Sequence, residues 1–337
     1  MQKDCHGHYR KQYNREKNIW ADSMTAQQSK NSAIRPLVSV IMNCLNCEKY
    51  LKEAIDSVYA QTYRNWEIIF WDNASTDSSA EIAKKYDKRL RYFRGEETIP
   101  LGAARNKALE QAKGEFIAFL DGDDLWMPEK LEKQVPLFND PHVGLVYSDV
   151  IIFNSYNDKF RLSDRFTFCR GMCFPQLLKN YFLSIPSVII RKTALDQEIE
   201  WFDQSFNLIE DLDLFIRIGY SWKLDMCRDA LAKYRVHKSS CTSTQGNLFH
   251  REHIILLEKY CKLWPDFLAK YSNLLKTQIY YWRASYLWKN KRAKEARDCL
   301  SHFKFKNFNS FLLYLASFFP HVYVCGVLAK FGKVARG

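Results

Sequence analysis

The sequence predicts an α/β fold with a mainly parallel central sheet and a C-terminal helical region. From Leu37 onward, short apolar runs alternate with stretches of helical period. This β-α-β-α-β-α-β order is typical of parallel strands joined by right-handed crossovers. From Phe249 the pattern becomes almost wholly helical.

Four apolar runs and the helical stretches between them make up the first half of the predicted sheet. After the first run, apolar side chains recur at helical spacing, at Leu51, Ala54, Ile55, Val58 and Tyr59. The predicted strands are 37–42, 68–71, 90–93 and 116–120, and the predicted helices after 51–59 are 78–86 and 102–112.

The second half is predicted from weaker patterns. A helix follows Pro128, and later segments complete the domain: strands at 145–147, 187–190 and 230–235 and a helix at 211–219. Residues 278–303 resemble one helical hairpin. We therefore divide the chain into a disordered polar arm, 1–35, a catalytic domain, 36–245, and a helical, basic region, 246–337.

Charge is distributed unevenly along the 337 residues. The net charge is +12, of which residues 1–36 carry +4, residues 259–337 carry +12 and the middle carries −4. A basic tail on a mildly acidic body favours attachment to a polyanion, either anionic lipid or nucleic acid. Residues 311–329 hold no charged side chain, which indicates an interfacial segment, a packed helix or a membrane span.

The cysteine content bears on the compartment. We expect the ten cysteines to be single, scattered thiols, and the sequence does not open with an apolar export segment. We therefore expect a reduced, cytoplasmic protein. Cys5, His6 and His8 lack a second ligand pair at zinc spacing, which favours an unstructured tail over a metal site.

Polar turns follow three of the predicted strands, where a parallel sheet binds its ligands. They are 43–46, 72–77 and 121–124. The last contains three carboxylates in four residues, Asp121, Asp123 and Asp124. Such carboxylates repel one another unless a cation compensates, and their hard oxygens suit Mn²⁺ or Mg²⁺. The alternative is an acidic N-cap for the helix after Pro128.

Together these segments resemble the family 2 glycosyltransferases. The resemblance covers roughly residues 37–242 and is carried, in chain order, by Val38-Ser39-Val40-Ile41, Asn46, Tyr50-Leu51, Gln61-Thr62-Tyr63, Trp66-Glu67-Ile68-Ile69, Asp72 to Asp77, Ala103-Ala104-Arg105-Asn106, Phe119 to Asp124, Glu210-Asp211 and Tyr234-Arg235-Val236-His237. It implies a Rossmann-like, glycosyltransferase A-type fold. It also implies an inverting, metal-dependent transfer of sugar from a nucleotide diphosphate donor, expected to be a UDP-sugar.

The resemblance assigns roles to individual residues. Asp72 would accept a hydrogen bond from the nucleobase, and Arg105 would lie near the diphosphate. Asp121 and Asp123 match the D-x-D motif, His237 would complete the metal site, and Asp211 would be the general base. The residues expected to bind the donor are Asn46, Asp72, Arg105, Asp121 and Asp124.

Each role has a structural alternative: a turn for Asp72, a solvated helix charge for Arg105, a helix N-terminal acid for Asp211 and a hydrogen-bonded histidine for His237. One departure from the family concerns Leu45, which stands where an aromatic side chain usually faces the nucleobase. The identity of the donor base is therefore left open.

The implied acceptor is a glycan or lipid-linked hydroxyl in the synthesis of surface polysaccharide or lipopolysaccharide. We expect the enzyme to lie on the inner face of the cytoplasmic membrane, attached to anionic lipid.

A sugar nucleotidyltransferase would need a glycine-rich turn, and residues 43–50 contain no glycine. A haloacid-type phosphatase needs Thr where Leu125 stands. A nucleic-acid-binding protein could use the basic tail near Trp282 and Trp288, but no recognition motif accompanies it.

Overall fold

The computed structural model describes residues 35–154, 157–237, 240, 248–301, 314 and 317–318. The predicted arm, 1–35, lies outside these residues apart from Arg35. The apolar stretch 311–329 also lies outside them apart from Tyr314, Ser317 and Phe318.

The described elements follow the predicted alternation of strands and helices. The strands are β1 Val38–Cys44, β2 Trp66–Asp72, β3 Leu90–Arg94, β4 Phe116–Phe119, β5 Leu125–Trp126, β6 Val143–Phe153, β7 Asp158–Arg161, β8 Ile189–Arg191 and β9 Lys223–Arg235. The helices are α1 Glu48–Tyr59, α2 Ser79–Ala83, α3 Leu101–Leu109, α4 Lys130–Gln134, α5 Phe174–Lys179, α6 Lys192–Asp196, α7 Glu210–Ser221, α8 Phe249–Leu263, α9 Phe267–Lys270, α10 Ser272–Lys289 and α11 Ala293–Ser301.

These strands form one mixed, mainly parallel sheet in the order β3-β2-β1-β4-β8-β6-β9-β5, with β7 paired to β6. The first four strands are parallel, as predicted. Strand β8 is antiparallel to both β4 and β6, whereas β6 and β9 are parallel to each other. The α/β fold with a mainly parallel sheet is therefore confirmed.

The second half of the sheet is longer than its sequence pattern suggests. Strand β6 has 11 residues and β9 has 13, whereas only short runs were predicted. The apolar run of β6 is interrupted by polar residues such as Asp149. The carboxylate of Asp149 can be buried there because it accepts hydrogen bonds from the backbone N–H and the hydroxyl of Ser163. Strand β5, directly after the acidic turn, was not predicted.

The apolar core lies on both faces of the sheet. On β1, Val40 and Met42 point to the face covered by α1, whereas Ile41 points to the face covered by α3, α5 and α7. This alternation follows from the two-residue period of a strand. The apolar stripe of α1 is buried as predicted at its first four positions.

The C-terminal helices pack against the same core. Leu256 and Tyr260 of α8 and Leu275 of α10 belong to the cluster that covers the α7 face of the sheet. Helices α10 and α11 form the predicted hairpin around a separate cluster that includes Trp288. None of the described helices is both long enough and apolar enough to cross a bilayer.

Candidate active site

The turns after β1 and β2 are joined by side-chain hydrogen bonds. Asn46 adopts a left-handed conformation, with φ of 56°. Its Oδ1 accepts a 2.8 Å hydrogen bond from the backbone N–H of Thr76, and its own N–H donates to Ser75 Oγ at 3.1 Å. Because β1 and β2 are parallel neighbours, their carboxyl ends meet at one edge, as predicted.

Asp72 ends β2 and is fully buried. Its carboxylate accepts hydrogen bonds from the N–H of Ser75 at 2.7 Å, the hydroxyl of Tyr92 at 2.6 Å and the guanidinium of Arg94 at 2.5 Å. Burial alone would raise the pKa of Asp72, but the hydrogen bonds from Tyr92 and Ser75 outweigh it and lower the pKa. Asp72 therefore anchors this turn. That it accepts a hydrogen bond from the nucleobase of the donor stays a prediction.

Arg105 is the central cation of the site. Its Nη2 lies 3.0 and 3.1 Å from the two carboxylate oxygens of Asp121, and its Nη1 forms an ion pair with Glu210. The side chain is only 4% exposed. Burial disfavours the charged form, but the carboxylates of Asp121 and Glu210 outweigh it and raise the pKa of Arg105. The guanidinium therefore connects the acidic turn to the start of α7.

Asp123 lies beside His237 at the open side of the acidic turn. The Oδ2 of Asp123 and the Nε2 of His237 are 2.8 Å apart, and the carboxylate is 29% exposed. Burial, together with the charge of Asp121, raises the pKa of Asp123. The structure thus places two of the predicted metal ligands, Asp123 and His237, within hydrogen-bond distance, whereas the third, Asp121, is paired with Arg105.

Asp124 points away from the open side and into the protein. It is 1% exposed, and its Oδ1 accepts a 2.8 Å hydrogen bond from the backbone N–H of Arg235 at the end of β9. Arg235 also donates from Nε to the carbonyl of Asp123 at 2.7 Å. In this position Asp124 supports the turn, and its predicted contact with the donor stays a prediction.

Asp211 lies in the first turn of α7. Its Oδ1 accepts a 2.7 Å hydrogen bond from the N–H of Leu212, which orients the carboxylate. Burial and the adjacent charge of Glu210 raise the pKa of Asp211 to about 7. A carboxylate with this pKa can accept a proton near neutral pH, as a general base must.

Glu252 holds the segment that leads into α7. Its carboxylate accepts hydrogen bonds from three consecutive backbone N–H groups, those of Asn207 at 2.8 Å, Leu208 at 3.0 Å and Ile209 at 3.2 Å. Helix α8, which carries Glu252, thereby fixes the position of Glu210-Asp211. Glu252 is not predictable from the sequence, because nothing in the pattern of α8 indicates contact with a loop 45 residues earlier.

The expectation that all ten cysteines are single is wrong for one pair. Cys44, the last residue of β1, and Cys47, directly before α1, have C-x-x-C spacing. The spacing itself was the signal that could have identified them.

The donor set at the acidic turn fits Mn²⁺ or Mg²⁺. Asp121 and Asp123 supply hard oxygens on one partly exposed turn, and their mutual repulsion would be relieved by a cation. No group of three or more His, Cys, Asp or Glu side chains within the described ranges is already gathered around a metal position. Phosphate oxygens and water would supply the other ligands, which is usual for Mg²⁺.

The fold defines a class of protein, the glycosyltransferase A-type transferases, and in this chain Arg105 joins the acidic turn to Glu210 at the start of α7. The sequence model "Glycosyl transferase family 2" matches residues 39–199. Escherichia coli WfgD, a UDP-Glc:alpha-D-GlcNAc-diphosphoundecaprenol beta-1,3-glucosyltransferase, is 30% identical over 65% of this chain and 85% of its own length. Bacillus subtilis TuaG, a putative teichuronic acid biosynthesis glycosyltransferase, is 43% identical over 63% of this chain and 83% of its own. The chain belongs to glycosyltransferase family 2.

Two solved structures share the fold. Staphylococcus aureus TarS 1-349, in complex with UDP-GlcNAc, superposes with a TM-score of 0.57 at 18% identity, covering 86% of this chain and 92% of that one. A Pyrobaculum calidifontis mannosyltransferase in complex with GDP-Man and Mn²⁺ gives a TM-score of 0.54 at 17% identity, covering 94% and 88%.

Proposed function

We propose that this chain is an inverting glycosyltransferase that moves a sugar from a UDP-sugar to a hydroxyl of a lipid-linked or surface glycan, using Mn²⁺ or Mg²⁺. The observation that carries the proposal is the double ion pair of Arg105. One buried guanidinium joins Asp121, on the donor turn, to Glu210, which precedes the predicted base Asp211. An inverting displacement needs the base and the leaving group held at fixed positions on opposite sides of the anomeric carbon, and a rigid connection between the two acidic segments is consistent with that requirement.

In this mechanism the acceptor oxygen forms a bond to the anomeric carbon while the bond from that carbon to the diphosphate breaks. Asp211 takes the proton of the acceptor hydroxyl, and the nucleoside diphosphate leaves with the electron pair. Arg105 and Glu252 hold the start of α7 in place. Asp121, Asp123 and His237 would hold the divalent cation, which would neutralise charge on the leaving diphosphate.

The choice of UDP and of a lipid-linked acceptor is supported by the relatives. WfgD is named for UDP-Glc and for an acceptor on diphosphoundecaprenol, and TarS binds UDP-GlcNAc. The mannosyltransferase binds GDP-Man, so the base must be tested directly. In this chain Leu45 is 45% exposed where an aromatic ring was expected, which removes one stacking surface for the base.

A panel of nucleotide sugars tests the proposal. The purified chain is incubated with Mn²⁺ and UDP-Glc, UDP-GlcNAc, UDP-Gal or GDP-Man, and release of the nucleoside diphosphate is measured with and without a GlcNAc-diphospholipid acceptor. We expect one UDP-sugar to be consumed faster when acceptor is present, with inversion at the anomeric carbon. Retention of configuration in the product, or no consumption of any donor, would reject the proposal.

The pH dependence of kcat/KM should report the ionisation of Asp211. Because its pKa is raised to about 7, the carboxylate is protonated, and unable to act as a base, at lower pH. We expect kcat/KM to fall by about tenfold for each pH unit below this value and to level off above it. The profile is measured from pH 5.5 to 9 with saturating Mn²⁺, and a flat profile down to pH 5.5 would exclude this assignment.

We also propose that the enzyme works at the cytoplasmic face of a membrane, attached to anionic lipid. Within the described tail, exposed cations cluster around the α10–α11 turn, namely Arg283, Lys289, Lys291, Arg292 and Lys294. Trp282 is 37% exposed on the same helix pair. Basic side chains together with inserted apolar residues are the two signals that stable attachment requires.

The full chain should therefore sediment with vesicles that contain anionic lipid and should stay in the supernatant with neutral phosphatidylcholine vesicles. High salt should release only part of it, because salt screens the charges and leaves the apolar contact. Ending the chain near residue 306 removes the uncharged apolar stretch 311–329 and keeps the basic cluster. Because neither signal alone suffices for stable attachment, this truncation should free the chain and spare donor hydrolysis. If the full chain does not sediment with anionic vesicles at low ionic strength, the proposed attachment is refuted.

A further inference from the structure

Tyr50, in the first turn of α1, contacts two residues at the end of β9 and just beyond it. The guanidinium carbon of Arg235 lies 4.1 Å from the centre of the Tyr50 ring. The ring centres of Tyr50 and His237 are 5.5 Å apart, with an angle of 52° between the rings. A guanidinium over an aromatic ring and a tilted pair of rings are both attractive contacts. One aromatic side chain therefore supports both residues.

Arg235 connects α1 to the acidic turn. Its Nε donates to the backbone carbonyl of Asp123 at 2.7 Å, and its backbone N–H donates to Oδ1 of Asp124 at 2.8 Å. Its Nη2 pairs with Oε2 of Glu53 at 2.9 Å, and the Arg235 side chain is only 6% exposed. Tyr50 and Glu53 are three residues apart on α1, so they share one face of that helix. The guanidinium is thus held by α1 and in turn holds the backbone of the acidic turn.

Asp123 and His237 therefore have a common support. The backbone of Asp123 is held through Arg235, and the ring of His237 packs on Tyr50 directly. The Oδ2 of Asp123 and the Nε2 of His237 meet 2.8 Å apart, although the two residues are 114 positions apart in the chain. Ligands from distant segments bind a cation tightly only when they are already in place, because ordering them during binding costs free energy.

We propose that Tyr50 is a positioning residue of the metal site, which holds Asp123 and His237 in the arrangement that binds a divalent cation. It acts through the two residues that its ring contacts, Arg235 and His237. This inference rests on the proposed function, because it takes Mn²⁺ or Mg²⁺ as the cation. Residues that orient metal ligands contribute about 10- to 100-fold to metal affinity, so loss of the Tyr50 ring should weaken Mn²⁺ binding by at least about tenfold.

The experiment measures Mn²⁺ binding to the full chain by electron paramagnetic resonance of the free ion, with Mn²⁺ alone and again with UDP present. Thermal unfolding of each variant without metal reports the integrity of the fold. Tyr50→Leu should lower the affinity as stated. Tyr50→Phe keeps the aromatic ring, so its affinity should stay within about twofold of that of the unmodified chain.

Tyr59→Leu is the matched control. Tyr59 is the last residue of α1, and the guanidinium carbon of Arg89 lies 4.6 Å from the centre of its ring. The substitution therefore removes the same kind of contact from the opposite end of the same helix. It should lower the unfolding temperature and leave Mn²⁺ affinity unchanged.

Arg235→Lys keeps the inference testable if Tyr50→Leu does not fold. Lysine retains a positive charge near Glu53 but lacks the planar fork and the Nε–H that Asp123 accepts, so it should also weaken Mn²⁺ binding. The inference is overturned if both folded variants bind Mn²⁺ as the unmodified chain does, or if Tyr50→Phe or Tyr59→Leu weakens binding as much as Tyr50→Leu. Absence of Mn²⁺ binding by the unmodified chain would instead overturn the proposed metal dependence together with this inference, so the two failures are distinguishable.

Discussion

Replacing Asp211 with asparagine is expected to lower kcat by about two to four decades and to leave donor affinity nearly unchanged. The amide has the size of the carboxylate and can still accept a hydrogen bond from the N–H of Leu212, so α7 should keep its first turn. It cannot take a proton from the acceptor hydroxyl. Initial rates with a saturating donor, together with calorimetric titration of the donor, separate these two effects.

Asp229→Asn is the matched control for this substitution. Asp229 is 57% exposed and pairs with Lys133, far along β9 from the acidic turn, so the rate should stay near that of the unmodified chain. If Asp211 served only as an acid that stabilises the start of α7, its replacement would lower thermal stability and spare the rate. A folded Asp211→Asn protein with near-normal turnover would therefore show that another residue is the general base.

Removal of divalent metal is expected to abolish transfer, and Mn²⁺ or Mg²⁺ should restore it. Asp121 and Asp123 present oxygens at the partly exposed turn, and without a cation they would repel the phosphates of the donor. The protein is treated with EDTA, desalted, checked by metal analysis and then assayed with each metal in turn. Recovery with the hard cations Mn²⁺ and Mg²⁺ is expected from the oxygen donors.

Two controls make this result specific. Thermal unfolding before and after chelation shows whether the fold survives, which it should, because Arg105 already compensates Asp121 in the absence of metal. Asp123→Asn should raise the Mn²⁺ concentration needed for half-maximal activity. Full activity in protein shown by analysis to be metal-free would contradict the metal assignment.

Much of the fold could be predicted because its information is local. The apolar stripe at Leu51, Ala54, Ile55 and Val58 and the buried run of β1 each express the period of one element. The order of these elements along the chain then implies a mainly parallel sheet. Strands β6 and β9 were underestimated because buried polar residues such as Asp149 break the apolar pattern, and their partners lie far away in sequence.

The candidate site, like the fold, has local features that the sequence shows and long-range contacts that only the structure shows. The sequence identifies the turns, since Asp72, Asp121 and Asp123 follow predicted strands and parallel strands bring their carboxyl ends to one edge. It cannot show that both ion pairs of Arg105 are made by acidic residues of this chain, or that Asp124 turns inward to the end of β9. Those outcomes depend on which side chains are closest once the strands pack.

By itself, then, the sequence determined the fold class, the family resemblance and the set of acidic turns, because strand and helix periods and motif spacing are properties of neighbouring residues. Only the tertiary structure decided which of these residues meet. It placed Glu252 under the loop before α7, Cys47 against Gly122 and Arg105 between Asp121 and Glu210. The physical reason is that hydrogen bonds and ion pairs act over a few ångströms, and folding alone brings residues separated by 45 to 105 positions within that range.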